Sequence, residues 1–305
     1  MMAISSSAED GLSSRWIEYA AARFVLTTLS AGSSSFAFRL ASFYVKLLDL
    51  AIPRLRQTAD RNLRMALPHL SEEERARIAD GSFHSIARIL VAVARFPTLT
   101  KANIGDWIAY EGYEHYETAK ARGKGVLFAT AHLGNWELSA VAHSLMSEPM
   151  HVVVRAFDNP LIDKLVHKLR ASTGNRVVEK RDYVRGILRA LAANEAVGIL
   201  IDQNTGLDEG VFIDFFGVKA CVARGFARIA ARSQAAVIAG FALWRQQEKQ
   251  YVLKFCEPVY ATGDVLEDTQ RIHAKLEEVI RQHPEQWLWM HRRWKTRPSG
   301  EPPLY

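Results

Sequence analysis

From about residue 105 onward, short apolar runs alternate with stretches of helical periodicity, and this alternation restricts the fold more than any other feature of the chain. "GVLFAT", "HVVVRA", "NRVVE" and "AVGILID" are the apolar runs, and between and after them come "NWELSAVAHSLM", "NPLIDKLVHKLRAS", "YVRGILRALAAN" and "ARGFARIAARS". "AAVIAGFALW" and "YVLKF" close the series. Strands that alternate with helices of roughly 10–15 residues form βαβ units, whose parallel strands are covered on both faces and so read as continuous apolar runs. The predicted class is α/β, with a largely parallel central sheet flanked by helices. With 305 residues, of which 49% are hydrophobic and 24% charged, the chain can bury a large core.

Ahead of the alternating region, residues from about 12 to 95 read as helical, with breaks at "AGSSS", Pro53 and "LPHLSEEE". Ser71 followed by Glu74 has the pattern of a capping box at a helix start. The expected division is a helical N-terminal segment over 1–100 and an α/β domain over 101–305. The first residues lack the basic region and small-residue cleavage site of a secretory signal. Between Arg23 and Arg39 lie 15 uncharged residues. That is short of the roughly 20 apolar residues a spanning helix needs. In the next stretch, Arg39, Ser42, Lys46 and Asp49 share one helical stripe and nearly everything else is apolar. Such a face either packs against protein or dips into a membrane interface, where the nearby Arg54, Arg56, Arg61 and Arg64 suit anionic headgroups.

The net charge of +6 favours an anionic partner: nucleic acid, phospholipid headgroups or an acidic carrier protein. Cys221 and Cys256 have no CxxC spacing, and the histidines show no metal-ligand spacing, so neither a disulfide framework nor a metal site is expected. G-x-S-x-G, H-E-x-x-H, Walker A and G-x-G-x-x-G are all missing.

The chemistry-bearing stretch is "AHLGNWE", which follows "GVLFAT". Ligands of open α/β sheets bind outside the carboxyl ends of the strands, and His132 lies there. A five-residue step on one continuous helix would put His132 and Glu137 on different faces, so a turn must separate them. Gly134 suits the turn, Asn135 suits an N-cap, and Glu137 then falls in the first helical turn. Glu137 is expected to fold back onto the imidazole, fix its tautomer and make the other nitrogen a general base. With no protein nucleophile in view, the proton taken is that of a substrate hydroxyl. Backbone N–H groups of Gly134 and Asn135 are candidate oxyanion donors.

The H-x-G-N-W-E form of that stretch resembles the H-x-x-x-x-D/E motif of the bacterial lipid A biosynthesis acyltransferases, the late lauroyl/myristoyl-transferase family. "RAFDNPLID", "GILIDQN", "GVFIDFFG", "ARGFARIAARS" and "HPEQWLWMHRRWKTRP" follow in family order, so the resemblance runs from about Trp16 to Pro298. Asp214 stands where proline is expected in many relatives. The resemblance implies a glycerolipid acyltransferase-like fold. It also implies a cofactor-free O-acyltransferase at the cytosolic face of the inner membrane. The donor would be a thioester of acyl carrier protein or coenzyme A, and the acceptor a hydroxyl of an anionic membrane glycolipid.

Further candidates lie at the same sheet edge. Arg155 either holds a substrate phosphate or pairs with Asp158; Asp202 and Gln203 either bind polar substrate groups or make structural hydrogen bonds. Val211, Phe212, Ile213, Phe215 and Phe216 line an acyl tunnel, touch the bilayer or form a buried edge strand. Trp287, Trp289 and Trp294, alternating with Arg292, Arg293, Lys295 and Arg297, suit a headgroup interface in which Arg292 and Arg293 grip phosphate. A nucleic-acid partner explains neither the His–Glu pair nor the strand-end arginine. The rival readings are the same chemistry on a lysophospholipid or another glycolipid, a thioesterase, and a non-catalytic lipid-binding protein of the same fold.

Overall fold

Four helices precede the sheet: α1 (Ser5–Ser30), α2 (Ser34–Ala51), α3 (Pro53–Ala66) and α4 (Glu72–Arg95). The structure is a computed structural model that describes residues 5–179 and 183–305; the first four residues of the expected helical segment lie outside these. Each break has a local cause. Gly32 takes a φ of +73° between α1 and α2, and Pro53 opens α3, where its missing N–H costs nothing. Ser71 and Glu74 cap α4 reciprocally: Ser71 Oγ accepts from the Glu74 N–H at 3.2 Å, and Glu74 Oε2 accepts from the Ser71 N–H at 2.7 Å.

The alternating region follows as β1 (Ile108–Glu111), α5 (Tyr113–Ala121), β2 (Val126–Thr130), α6 (Trp136–Met146), β3 (His151–Val154), α7 (Pro160–Arg170), β4 (Arg176–Glu179), α8 (Tyr183–Ala192) and β5 (Ala196–Leu200). Then come β6 (Gly210–Phe215), β7 (Val218–Ala223), α9 (Gly225–Ser233), β8 (Ala236–Arg245), β9 (Gln250–Phe255) and α10 (Val265–Gln282). Among the described residues, seven strands form one sheet in the order β1-β9-β8-β2-β5-β3-β4. Every pairing is parallel except β8 with β9, whose connection is too short for a crossover. β1, four residues long with only Ile108 fully buried, carries too little pattern for the sequence to mark.

Side chains of β2 alternate between two cores. Leu127 and Ala129 join the cluster that reaches the N-terminal helices, whereas Val126 and Phe128 pack under α6. The first cluster runs without interruption from Leu29, Ala41 and Leu63 to Leu127, Val237 and Trp287, so α1–α4 share a core with the sheet. Burial at about 25 cal/mol per Å² makes such a shared core the main force holding the helices in place.

Two expectations are corrected here. "GVFIDFFGVKA" is a β6–β7 hairpin whose two-residue turn uses positive φ at Phe216 (+57°) and Gly217 (+75°). Its Ile213, Phe215 and Phe216 are buried in the protein core, so of the three readings the buried strand holds, as one arm of a separate hairpin, and tunnel lining and bilayer contact do not. Likewise Trp287, Trp289 and Trp294 are at most 2% exposed; they meet one another and Phe215 edge to face, and Trp287 stacks on Phe216, so they form no aromatic belt. The closing segment is core because its indoles cover the underside of the hairpin.

No helix of the described residues is long and apolar enough to cross a membrane. α2 is nonetheless apolar on two sides. Ala37, Ala41 and Val45 are buried, while Phe36, Phe43, Leu47 and Leu50 stand 48–67% exposed, beside exposed Arg39, Lys46 and Arg54. Arg56 is withdrawn from that basic group by its ion pairs with Asp49 (2.7 Å) and Asp80 (2.8 Å).

Candidate active site

His132 sits two residues past β2, at the carboxyl edge of the sheet. The loop that presents it is pinned by backbone hydrogen bonds. Gly134 N–H donates to Gln286 O (3.0 Å), Asn135 N–H to Ala242 O (2.8 Å), and Leu288 N–H to His132 O (2.9 Å). At Gly134, φ is +62° and a Cβ would lie 2.0 Å from the Ala242 carbonyl oxygen, so only glycine fits. Asn135 Oδ1 accepts from the Leu138 N–H at 3.0 Å and caps α6. These bonds correct the expected oxyanion role of Gly134 and Asn135. Both N–H groups are committed to carbonyls of the fold, so the two residues shape the turn.

The partner of the imidazole is Asp202, not Glu137. β5 lies beside β2 in the sheet, and Asp202, two residues beyond β5, reaches across to His132. Its Oδ1 is 2.8 Å from His132 Nδ1, while its Oδ2 accepts from the His132 backbone N–H (2.9 Å) and from Trp287 Nε1 (2.8 Å). An ionised carboxylate only accepts, so Nδ1 carries the proton and Nε2 is left with its lone pair. Burial opposes the charge on Asp202, yet the imidazole and these donors hold its pKa well below the usual carboxylate range. Burial also pulls the His132 pKa down, but the charge and hydrogen bond of Asp202, with Glu137 behind them, outweigh it and leave the pKa raised. The His132 side chain is 15% exposed, and the Gln203 amide nitrogen lies 3.4 Å from Nε2.

Glu137 is the second correction. Both of its oxygens are taken by Arg170, with Nε to Oε2 at 2.9 Å and Nη2 to Oε1 at 2.5 Å. Such a bidentate pair is geometrically exacting, and it directs the carboxylate toward the end of α7 instead of back onto the ring. Glu137 still acts on His132 through its field. Arg170, an ordinary basic residue in the last turn of α7, carries no sequence signal of this role.

Trp136, whose ring is 4.9 Å from that of His132, opens onto a cavity between α6 and the sheet. It is narrow, enclosing about 70 Å³. Thr130, Val154 and Leu200, at the carboxyl ends of their strands, line it near Glu137 and Arg170; Phe128, Val152 and Gly198 line it two residues further in. The cavity therefore runs inward along α6 from the edge that carries His132, and its walls are mostly apolar.

The remaining candidates scatter. Arg155 is at the same edge but 84% exposed, 3.7 Å from Asp158, and lines a separate open cavity of about 890 Å³ with Arg224 and Arg228. Arg292 is exposed, 5.8 Å from the Tyr305 ring. Arg293 corrects its expected role: it is 1% exposed, donates to Cys221 O at 3.1 Å and lies 4.9 Å from the Phe215 ring, so it cannot grip a lipid phosphate. Its pKa is pushed down to about 10, chiefly by burial. Among the described residues there is no cluster of three metal-ligating side chains.

Comparison with known proteins meets this geometry. The bacterial lipid A biosynthesis acyltransferase family matches residues 10–296. The chain is 29% identical to the lipid A biosynthesis lauroyltransferase of Escherichia coli (strain K12), over 88% of each chain. It is 28% identical to the palmitoleoyltransferase of the same organism, over 83% of each chain. With a lipid A biosynthesis acyltransferase of Haemophilus influenzae it shares 25% identity over 81% of this chain and 77% of that one. The match spans α1–α4, the sheet, the His132 loop and the closing tryptophan segment together, and on that breadth the chain belongs to the bacterial lipid A biosynthesis acyltransferase family and is an acyltransferase.

Proposed function

We propose that this protein transfers a fatty acyl chain from a thioester, carried by acyl carrier protein or coenzyme A, to a hydroxyl of a lipid A precursor at the cytosolic face of the inner membrane. The observation that carries the reading is the His132 ring, held through Nδ1 by buried Asp202 and packed on Trp136, which lines an apolar cavity. Nε2 takes the proton of the acceptor hydroxyl as its oxygen attacks the thioester carbonyl. The C–O bond forms, the C–S bond breaks, and the proton passes from Nε2 to the departing sulfur. Asp202 steadies the imidazolium directly and Glu137 through space. A base of this kind contributes about 10²–10⁴-fold to rate. With the loop N–H groups committed, the Gln203 amide is the donor nearest the base and the best placed for the developing oxyanion.

Membrane attachment is assigned to the exposed apolar stripe of α2 with Arg39, Lys46 and Arg54 at its sides. Arg155, Arg224 and Arg228 share their groove with Glu179, Asp208 and Glu209, so acceptor phosphates are assigned to individual cations, Arg155 and the exposed Arg292, rather than to a cationic patch. Purified protein given a lipid A precursor and labelled acyl thioesters on each carrier should yield acylated lipid A, read by mass spectrometry. Release of free fatty acid alone, with acceptor saturating, would make the protein a thioesterase.

Chain length gives a second handle. Gly240 lines the cavity, and a Cβ there would sit 3.5 Å from the Phe128 ring, leaving room for little more than one carbon. Gly240→Val should shift the preference toward a donor two carbons shorter by about tenfold in kcat/KM, since each buried CH₂ contributes about 0.8 kcal/mol. An unchanged preference in a two-donor competition would place the acyl chain elsewhere.

A further inference from the structure

On the sheet face away from α6 lie two neighbouring helices without a single carboxylate. α8 and α9 pack side by side and carry Arg185, Arg189, Arg228 and Arg232, but neither Asp nor Glu. Their apolar sides, Ile187 and Leu191 on α8 and Phe226 and Ile229 on α9, are buried in the core that Leu127 and Ala129 join from β2. All four arginines are exposed, and none forms an ion pair among the described residues. α10, packed against α9, shows the alternative: Arg271 pairs with Asp268 (3.7 Å), Lys275 with Glu278 (3.2 Å) and Arg281 with Glu277 (2.7 Å). Like charges four residues apart weaken a helix, and so does a cation in its first turn, where Arg185 sits. These arginines therefore work against the helices that carry them, and a partner of opposite charge is what would offset that cost.

We propose that the outer faces of α8 and α9 form the docking surface for the protein that carries the acyl thioester, an acidic protein whose carboxylates complement the four arginines. The inference rests on the acyltransferase reading. Charge and burial together favour a protein over a bilayer. A helix face that enters a membrane combines cations with exposed apolar groups, as α2 does, whereas on α8 and α9 Val184, at 40%, is the one exposed large apolar side chain. A path to the chemistry is also present. The groove lined by Tyr183, Arg224 and Arg228 opens at the starts of the two helices and reaches Arg155 at the carboxyl edge of the sheet. β3, which ends one residue before Arg155, is two strands from β2, so that end of the groove lies about 10 Å along the edge from the strand that presents His132. Glu179, Asp208 and Glu209 line the groove but belong to neither helix, so the uniformly basic surface begins at Arg228 and continues along both helices.

The test uses the full chain in detergent micelles and fluorescently labelled acyl carrier protein as the probe. Binding is read by anisotropy. Transfer to a lipid A precursor is read with one acyl chain delivered on acyl carrier protein, on coenzyme A or on N-acetylcysteamine. With all four arginines changed to Ala, carrier binding should weaken about tenfold and KM for the carrier-borne donor should rise as much, while use of the N-acetylcysteamine thioester stays the same. The melting temperature should not fall, because like-charge neighbours have been removed. Lys164→Ala with Lys168→Ala removes exposed cations at the same spacing from α7 and should leave carrier binding as it is. For the unaltered protein, carrier binding should weaken as salt rises past about 0.15 M, where exposed charges are screened. Four outcomes would overturn the proposal: carrier binding unchanged in the four-site variant, an equal loss in the α7 variant, a loss confined to the coenzyme A donor, or a loss confined to binding of phosphatidylglycerol vesicles. No transfer from any donor, with carrier binding still dependent on the arginines, would overturn the acyltransferase reading and leave the docking surface standing.

Discussion

Asp202→Asn is expected to lower kcat/KM by about 10³–10⁴-fold, because the substitution removes the acceptor that dictates which imidazole nitrogen carries the proton. An amide can turn its NH₂ toward Nδ1, which moves the ring proton to Nε2 and leaves no lone pair where the acceptor hydroxyl arrives. The pH profile distinguishes this from simple damage. The His132 pKa is raised despite burial, because Asp202 stabilises the protonated ring. Catalysis needs the neutral ring, so kcat/KM should climb with pH through a midpoint above the ordinary histidine value of about 6.5. With the carboxylate gone, burial prevails, and the midpoint should move to lower pH even as the plateau falls. An acid limb that stays in place would mean that Asp202 does not govern the base.

Arg170→Met should cost about 3–5 kcal/mol of stability, the penalty for stranding one member of a buried ion pair. The side chains of Arg170 and Glu137 are 14% and 15% exposed, and the bidentate geometry leaves neither carboxylate oxygen unmatched. Removing the cation strands Glu137 beside an apolar cavity. The double variant Glu137→Gln with Arg170→Met should recover most of the loss, because no bare charge remains. Denaturant unfolding of the two variants in the same detergent measures the difference. Equal instability in both would show that Arg170 contributes mainly through its own packing, including its place 5.8 Å from the Phe157 ring.

What the sequence made legible follows from range. The βαβ alternation, the breaks at Gly32 and Pro53, the Ser71 box and the turn at Gly134 are local patterns, and each appears where it was expected. Strand order is not local. Nothing in "GVLFAT" and "AVGILID" says that these runs, some seventy residues apart, lie side by side, so the sequence points to the acid five residues from His132 as partner and marks Asp202 only as a strand-end polar group. Arg170 was hidden for the same reason, since only the packing of α7 against α6 brings it to Glu137. The tryptophan and arginine run misled because alternation of aromatic and basic residues describes an interface and a buried segment equally well. Burial of Trp289, Arg293 and Trp294 decides it.

His132→Ala tests the central claim most directly, with transfer of labelled acyl chain to a lipid A precursor measured beside melting temperature and vesicle binding. The account predicts loss of at least about 10²–10⁴-fold in transfer, with fold and vesicle binding unchanged. Transfer at the rate of the unaltered protein would contradict it.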